Sequence, residues 1–207
     1  IGPCHLETFK SIDNIMRTKY ELIERLPDDG TAIFNYDNEY VKRLADKTFK
    51  EKILYGIKNT KDTHVYATDI VVGNTGSRFK LCINGTGEIE CETKLLGEHN
   101  ISNILAGAAA AKVLGLSLEE IALGISKIES VEHRLQLIDP GTGVIVIDDA
   151  FNSNPEGARA ALDVLNSFAG KRKIIVTPGM IELGELEEEE NEKFGESISH
   201  VCNIAIL

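Results

Sequence analysis

The sequence predicts an α/β fold in two parts. Residues 1–139 read as a parallel sheet with a small antiparallel add-on, and 140–207 as the first part of a doubly wound α/β unit. Three observations carry this. A strand, a short helix and a second strand follow one another between Thr31 and Gly56, the rhythm of a parallel sheet. Three segments between His64 and Leu95 alternate apolar and polar residues, as antiparallel strands with one wet face do. Val144–Ile147 is an unbroken β-branched run that enters a polar cluster and then a helix.

Each element has a local reason. Ile1–His5 carries a Gly-Pro and reads as a loop. From Glu7 to Leu26, Phe9, Ile12, Ile15, Met16, Tyr20, Leu22, Ile23 and Leu26 recur mostly at three and four, which predicts one amphipathic helix stopped by Pro27–Gly30. Thr31–Tyr36 and Lys52–Gly56 are strands flanking a helix over Asn38–Asp46. Asn84-Gly85-Thr86-Gly87 joins two of the alternating strands as a turn. Asn100–Leu114 is an alanine-rich helix made for close packing. Ser117 and Glu120 have capping-box spacing and open another helix to about Ile128. Pro140–Gly143 is turn-rich and marks the expected boundary between the two parts. Beyond it, Val144–Ile147 and Lys173–Thr177 read as strands buried on both faces, Glu156–Phe168 and Glu188–Ser199 as helices, and Asn203–Leu207 as a third strand.

A net charge of −11 argues against binding nucleic acid or an anionic membrane, since such surfaces are basic. No run is long enough for a membrane span and no signal peptide is visible. The four cysteines are scattered without a C-x-x-C pair, which fits buried thiols in a reducing cytosol and a cytoplasmic protein. Cys82 and Cys91 flank the turn at 84–87, close enough in sequence to face each other across it. The chain starts on Ile1 and ends on an apolar run, so it reads as a fragment of something longer.

Two polar clusters carry the chemistry. Asn100 and Asn103 lie three apart at a helix start, on one face. An amide donates and accepts at once, which matches the N6/N7 edge of adenine; helix capping and packing explain the pair equally well. Asp148 and Asp149 end a strand, where ligands of open α/β sheets bind, and a carboxylate there can accept from ribose hydroxyls. Adjacent strand residues face opposite ways, so one of the two reaches a ligand. His133-Arg134 precedes the expected boundary, where an arginine can fork onto a phosphate oxygen. His5 and Lys19 say little by themselves. A lysine helps to hold a hard cation only as its carbamate, which carries oxygen ligands and negative charge. There is no G-x-x-x-x-G-K-[ST] phosphate loop, no G-x-G-x-x-G and no H-E-x-x-H.

These segments resemble the Mur ligases, ATP-driven amide-forming enzymes of peptidoglycan synthesis. Gly2–Phe9 is similar to their metal-binding histidine segment, and Thr18–Glu21 to the segment of the carbamylated lysine, with Tyr20 where a glycine is usual. Gly97–Asn103 resembles G-x-H-N-x-x-N, and His133–Leu135 the H-R that ends the central domain. Ile147–Pro155 resembles D-D-S-Y-N-A-N-P, and Pro178–Gly184 resembles G-D-M-x-E-L-G with Gly179 where an aspartate is common. Both belong to the branch that joins D-alanyl-D-alanine to UDP-MurNAc-tripeptide.

The resemblance implies the later half of a central ATPase domain followed by the first part of a Rossmann-like C-terminal domain. It implies ATP and Mg2+ as cofactors, UDP-MurNAc-tripeptide and D-alanyl-D-alanine as substrates, a monomeric parent, and no nucleic-acid partner or membrane insertion. The substrate carboxylate attacks the γ-phosphate to give an acyl phosphate, and the dipeptide amine displaces phosphate from it. His5 and carbamylated Lys19 hold magnesium, Asn100 and Asn103 read adenine, Arg134 contacts phosphate and Asp149 the ribose. Phe151 or Asn152 borders the adenine. Another Mur-like amino-acid ligase, one resembling folylpolyglutamate synthase included, and a non-catalytic nucleotide-binding module are the alternatives. Without its phosphate loop the chain alone is expected to show no ATP hydrolysis.

Overall fold

The structure is a computed structural model that describes residues 1–207. The N-terminal segment forms two helices, α1 (Leu6–Phe9) and α2 (Ile12–Glu24), where the sequence predicts one. Lys10 takes a left-handed backbone (φ 67°) and Ser11 restarts the helix by accepting from the Asn14 N–H, so the apolar periodicity runs across a break. Ile15 and Met16 form the buried edge of α2.

β1 (Ala32–Asn35), α3 (Glu39–Lys47) and β2 (Lys52–Gly56) follow, with Asn38 capping α3 through the Val41 N–H. β3 (Val65–Val72), β4 (Ser77–Ile83) and β5 (Gly87–Thr93) complete one five-stranded sheet in the order β1-β2-β3-β4-β5. β1, β2 and β3 run parallel, while β4 and β5 are antiparallel. The add-on is therefore continuous with the parallel sheet, and β3 belongs to both. Cys91 sits opposite Phe79 and Cys82 opposite Glu88, so the two thiols do not face each other across the hairpin. Both are buried, and burial pushes Cys91 up to about 11.

α4 (Glu98–Val113) lies across the parallel strands and α5 (Leu118–Ser126) against β5. Ile101, Ile104, Leu105, Ala108 and Ala109 from α4 and Ile121 and Ile125 from α5 meet Val65, Phe79 and Leu81 in the main core. The capping box of Ser117 and Glu120 forms as its spacing predicts.

β6 (Gln136–Ile138) and β7 (Val146–Asp148) pair antiparallel, with Gln136 opposite Asp148. Pro140–Gly143 is the loop of this hairpin, so the expected boundary at 139/140 falls inside a single structural unit. α6 (Pro155–Asn166), β8 (Ile174–Val176), α7 (Glu187–Val201) and β9 (Ile204–Ile206) follow, and β8 and β9 run parallel around α7. Neither Val144–Ile147 nor Lys173–Thr177 is buried on both faces: Val144 is 64% exposed and Val176 74%. Each strand has a single strand neighbour here, and an apolar run alone does not reveal how many neighbours cover it. Leu96 from the first part packs with Leu135, Val164 and Phe168, which joins the two parts through a small apolar cluster.

Candidate active site at the junction of the two parts

His5 is the residue preceding α1 and holds a left-handed backbone, φ 51°. Its Nδ1 contacts the carboxylate of Glu182, from the loop after β8. Glu182 is itself left-handed (φ 63°), and the loop around it is pinned on both sides. Met180 and Leu183 are buried against Ala158 and Phe194. The Asn191 side chain accepts the Met180 N–H at 2.8 Å and donates to the carbonyls of Met180 and Glu187 at 2.8 and 2.9 Å. Gly179 sits at φ 82°, and a Cβ there would lie 2.7 Å from the Asn191 Oδ1.

A cleft of about 160 Å3 opens beside this contact, lined by His5, Phe151, Asn152 and Glu182 among others. Three residues expected to act on the nucleotide and metal thus share one cavity, although His5 and Phe151 are far apart in the chain. Phe151 is 66% exposed, and the Arg134 guanidinium stacks 4.2 Å from its ring centroid. Arg134 is flanked by two left-handed residues, His133 (φ 60°) and Leu135 (φ 45°), and the Phe151 N–H donates to the His133 carbonyl at 3.3 Å. Such backbone states persist where surrounding contacts hold them, and they concentrate at functional sites.

The two aspartates separate as alternation predicts. Asp148 faces His133 Nδ1 at 2.8 Å and accepts the Ala150 N–H. That hydrogen bond holds the Asp148 carboxyl below its ordinary value and lifts His133 above its own. Asp149 accepts the Leu135 N–H at 3.1 Å through Oδ1. Its other oxygen has no protein partner, and no buried side-chain oxygen goes unpaired, so that atom is open to a ligand. Burial raises the Asp149 carboxyl, against the lowering pull of the Leu135 N–H, His99 and Arg134.

α4 starts at Glu98, earlier than Asn100, with buried Gly97 as its N-cap at φ 83°. A Cβ on Gly97 would meet His99 at 2.6 Å and Val164 at 2.9 Å. His99 lies within electrostatic reach of Asp149 and Asp163, and burial lowers its pKa despite both carboxylates. The Asn100 amide donates to the Leu96 carbonyl at 2.8 Å and accepts from Asn103 at 3.3 Å. Both of its hydrogen-bonding ends are engaged within the chain. Asn103 is exposed and also borders a separate apolar cleft of about 380 Å3 between α4 and α5.

Lys19 lies exposed on α2 and makes no hydrogen bond or ion pair with any side chain. No group of three His, Cys, Asp or Glu side chains is assembled anywhere in the chain. A hard cation takes about six oxygen-rich ligands. The imidazole of His5 and the carboxylate of Glu182 do not amount to such a set, so these residues alone do not form a magnesium centre.

Sequence reasoning placed Glu182 and His99 inside its motifs but gave neither a role at the site. It missed a polar cleft of about 650 Å3 lined by Asn35, Asp37, Lys58, His99, Arg159 and Asp163 among others. Asp37 organises its floor by accepting the N–H groups of Ile57, Lys58 and Asn59. The available signal was position, because Asp37 and Lys58 follow the carboxyl ends of two parallel strands.

The Mur ligase middle domain model matches residues 1–111, more than half the chain. The chain belongs to the Mur ligase family. The model of the Mur ligase glutamate ligase domain matches residues 133–207. Among curated relatives, UDP-N-acetylmuramoyl-tripeptide--D-alanyl-D-alanine ligase of Buchnera aphidicola (subsp. Baizongia pistaciae) is 35% identical over 87% of this chain and 39% of its own length. The Escherichia coli K12 protein of that name is 32% identical over 95% of this chain and 43% of its own length. A crystal structure of MurF from Acinetobacter baumannii superposes with a TM-score of 0.89 at 28% identity, covering 99% of this chain and 45% of that one. MurF from Thermotoga maritima in complex with ADP shares the fold, with a TM-score of 0.87 at 21% identity over 100% of this chain and 47% of that one. This Mur ligase chain therefore spans less than half the length of the relatives it matches. No helix in it is long and apolar enough to cross a membrane.

Proposed function

We propose that this chain is the junction of a MurF-type ligase, the later part of its central domain followed by the first part of its C-terminal domain. The longer enzyme uses ATP to join D-alanyl-D-alanine to UDP-MurNAc-tripeptide through an acyl phosphate. The observation that carries the reading is the single cleft shared by His5, Phe151, Asn152 and Glu182, lying where the two matched family segments meet. We place the domain boundary ahead of β6, between 128 and 133, so that the β6–β7 hairpin stays whole.

In this reading the open oxygen of Asp149 accepts from the ribose, and Asn100 and Asn103 read the adenine edge after surrendering the bond between them. Phe151 offers a flat apolar wall, and Arg134, held on its face, is oriented toward phosphate. His5 and carbamylated Lys19 are this chain's contributions to magnesium binding in the longer ligase. The cation neutralises phosphoryl charge when bound. Closure of the C-terminal unit brings the Glu182 loop onto His5 and keeps water from the acyl phosphate. The protein acts in the cytoplasm as a monomer.

The test is a substrate panel on the full-length ligase. ATP, UDP-MurNAc-tripeptide and D-alanyl-D-alanine yield the amide, ADP and inorganic phosphate. Product formation with another amine but none with D-alanyl-D-alanine would assign the chain to a different Mur-like ligase. No product with any amine, despite nucleotide binding, would favour a non-catalytic module.

A further inference from the structure

We infer that Glu182 is a positioning residue: it holds the His5 imidazole in the Nδ1–H tautomer and so turns the lone pair of Nε2 toward the cleft shared with Phe151 and Asn152. The geometry carries this. The Glu182 carboxylate, which can only accept when ionised, contacts Nδ1 and not Nε2. In the neutral ring the nitrogen facing the carboxylate therefore carries the proton, and the other is left as the acceptor or ligand atom. Free neutral histidine in water favours the opposite, Nε2–H form, so the contact selects the minor tautomer.

The two side chains are about half exposed, 45% and 52%, and the contact is held through the backbone on each side. Both partners hold left-handed backbones that side chains rarely adopt. Glu182 has little freedom to drift, because Met180 and Leu183 are buried on either side and Asn191 clasps the Met180 peptide at both its N–H and its carbonyl. The two residues come from different parts of the chain, 177 positions apart. His5 is consequently set in this tautomer only when the second part rests on the first. Domain closure and the readiness of His5 become one event. The catalytic meaning of this rests on the ligase reading, whereas the tautomer does not.

The test has two arms. In the 207-residue chain, 15N spectra of histidine are recorded along a rising pH series and read once the His5 signals stop changing. In the unaltered chain His5 shows a protonated Nδ1 and a bare Nε2. Glu182→Gln, whose amide oxygen still accepts, keeps that pattern. Glu182→Ala reverts to Nε2–H, and Glu182→Gly, suited to the left-handed backbone, does the same if the alanine variant folds poorly. A bare Nδ1 in the unaltered chain, or an unchanged pattern in both truncations, overturns the inference. In the full-length ligase, Glu182→Ala lowers kcat about tenfold to a hundredfold while Glu182→Gln retains most of it. An unchanged kcat in Glu182→Ala overturns the positioning role and leaves the ligase reading intact. Absence of amide synthesis by the unaltered enzyme removes the ligase reading and leaves the tautomer result standing.

Discussion

Replacing Asn191 by alanine unfastens the loop that presents Glu182. The side chain makes three hydrogen bonds, one accepted from the Met180 N–H and two donated to the Met180 and Glu187 carbonyls. The bond to Glu187 lies within α7, so two of the three tie the loop; at about 1 kcal/mol net each, the loop loses about 2 kcal/mol against its open state, a factor of about thirty in the opening equilibrium. The loss is local, because Asn191 is only half-buried and α7 keeps Ile198 in place. Global unfolding is therefore the wrong assay. Amide hydrogen exchange at Met180 reads the opening directly. Protection at Met180 falls by roughly thirtyfold, while α4 core amides such as Leu105 are unaffected. A fall of less than about threefold would mean that the buried Met180 and Leu183 side chains hold the loop without the amide clasp.

Gly97→Ala puts a Cβ 2.6 Å from the His99 ring and 2.9 Å from Val164 in a backbone region reserved for glycine. Strain and overpacking together cost about 2–5 kcal/mol, read by urea unfolding; a loss below about 1 kcal/mol contradicts the packing described. Burial depresses His99, so the unfolded chain takes up the proton first, and stability falls as pH drops below the unfolded value of about 6.5. Denaturant melts over that range show the slope, and His99→Gln removes it; an equal slope in the variant refutes the assignment. Asp149→Asn keeps an acceptor for the Leu135 N–H and removes a carboxylate that burial disfavours. The folded chain is at least as stable at neutral pH, whereas nucleotide affinity of the full-length ligase drops. A destabilised fold with unchanged affinity would reverse both roles.

What could be read from the sequence was local. Lys52–Gly56 appears as predicted because a short apolar run follows a helix that a strand precedes, and the Ser117–Glu120 capping box because cap spacing is satisfied within a few residues. The break at Lys10 and Ser11 left its sign in the Ser11–Asn14 spacing, but the apolar positions on either side hid it. The Val144–Ile147 run is apolar enough for an interior strand, yet burial depends on neighbours that the run does not name. At the site, His5, Arg134, Asp149, Phe151 and Asn152 were readable through motif order. Glu182 was visible only as the acidic position of the Pro178–Gly184 motif; its contact with His5 was not, because the two lie 177 residues apart. The hydrogen bond between Asn100 and Asn103 follows from their spacing, whereas the tie from Asn100 to Leu96 depends on how α4 meets the end of the sheet.

The convergence of one nucleoside on this junction is tested most directly by a crystal structure of the full-length ligase with ADP. The account predicts adenine within about 3 Å of the Asn100 and Asn103 amides, with their mutual bond broken, and the ribose hydroxyls on the free oxygen of Asp149. Adenine bound elsewhere, with Asn100 still joined to Leu96 and Asn103 and Asp149 bare, would contradict it.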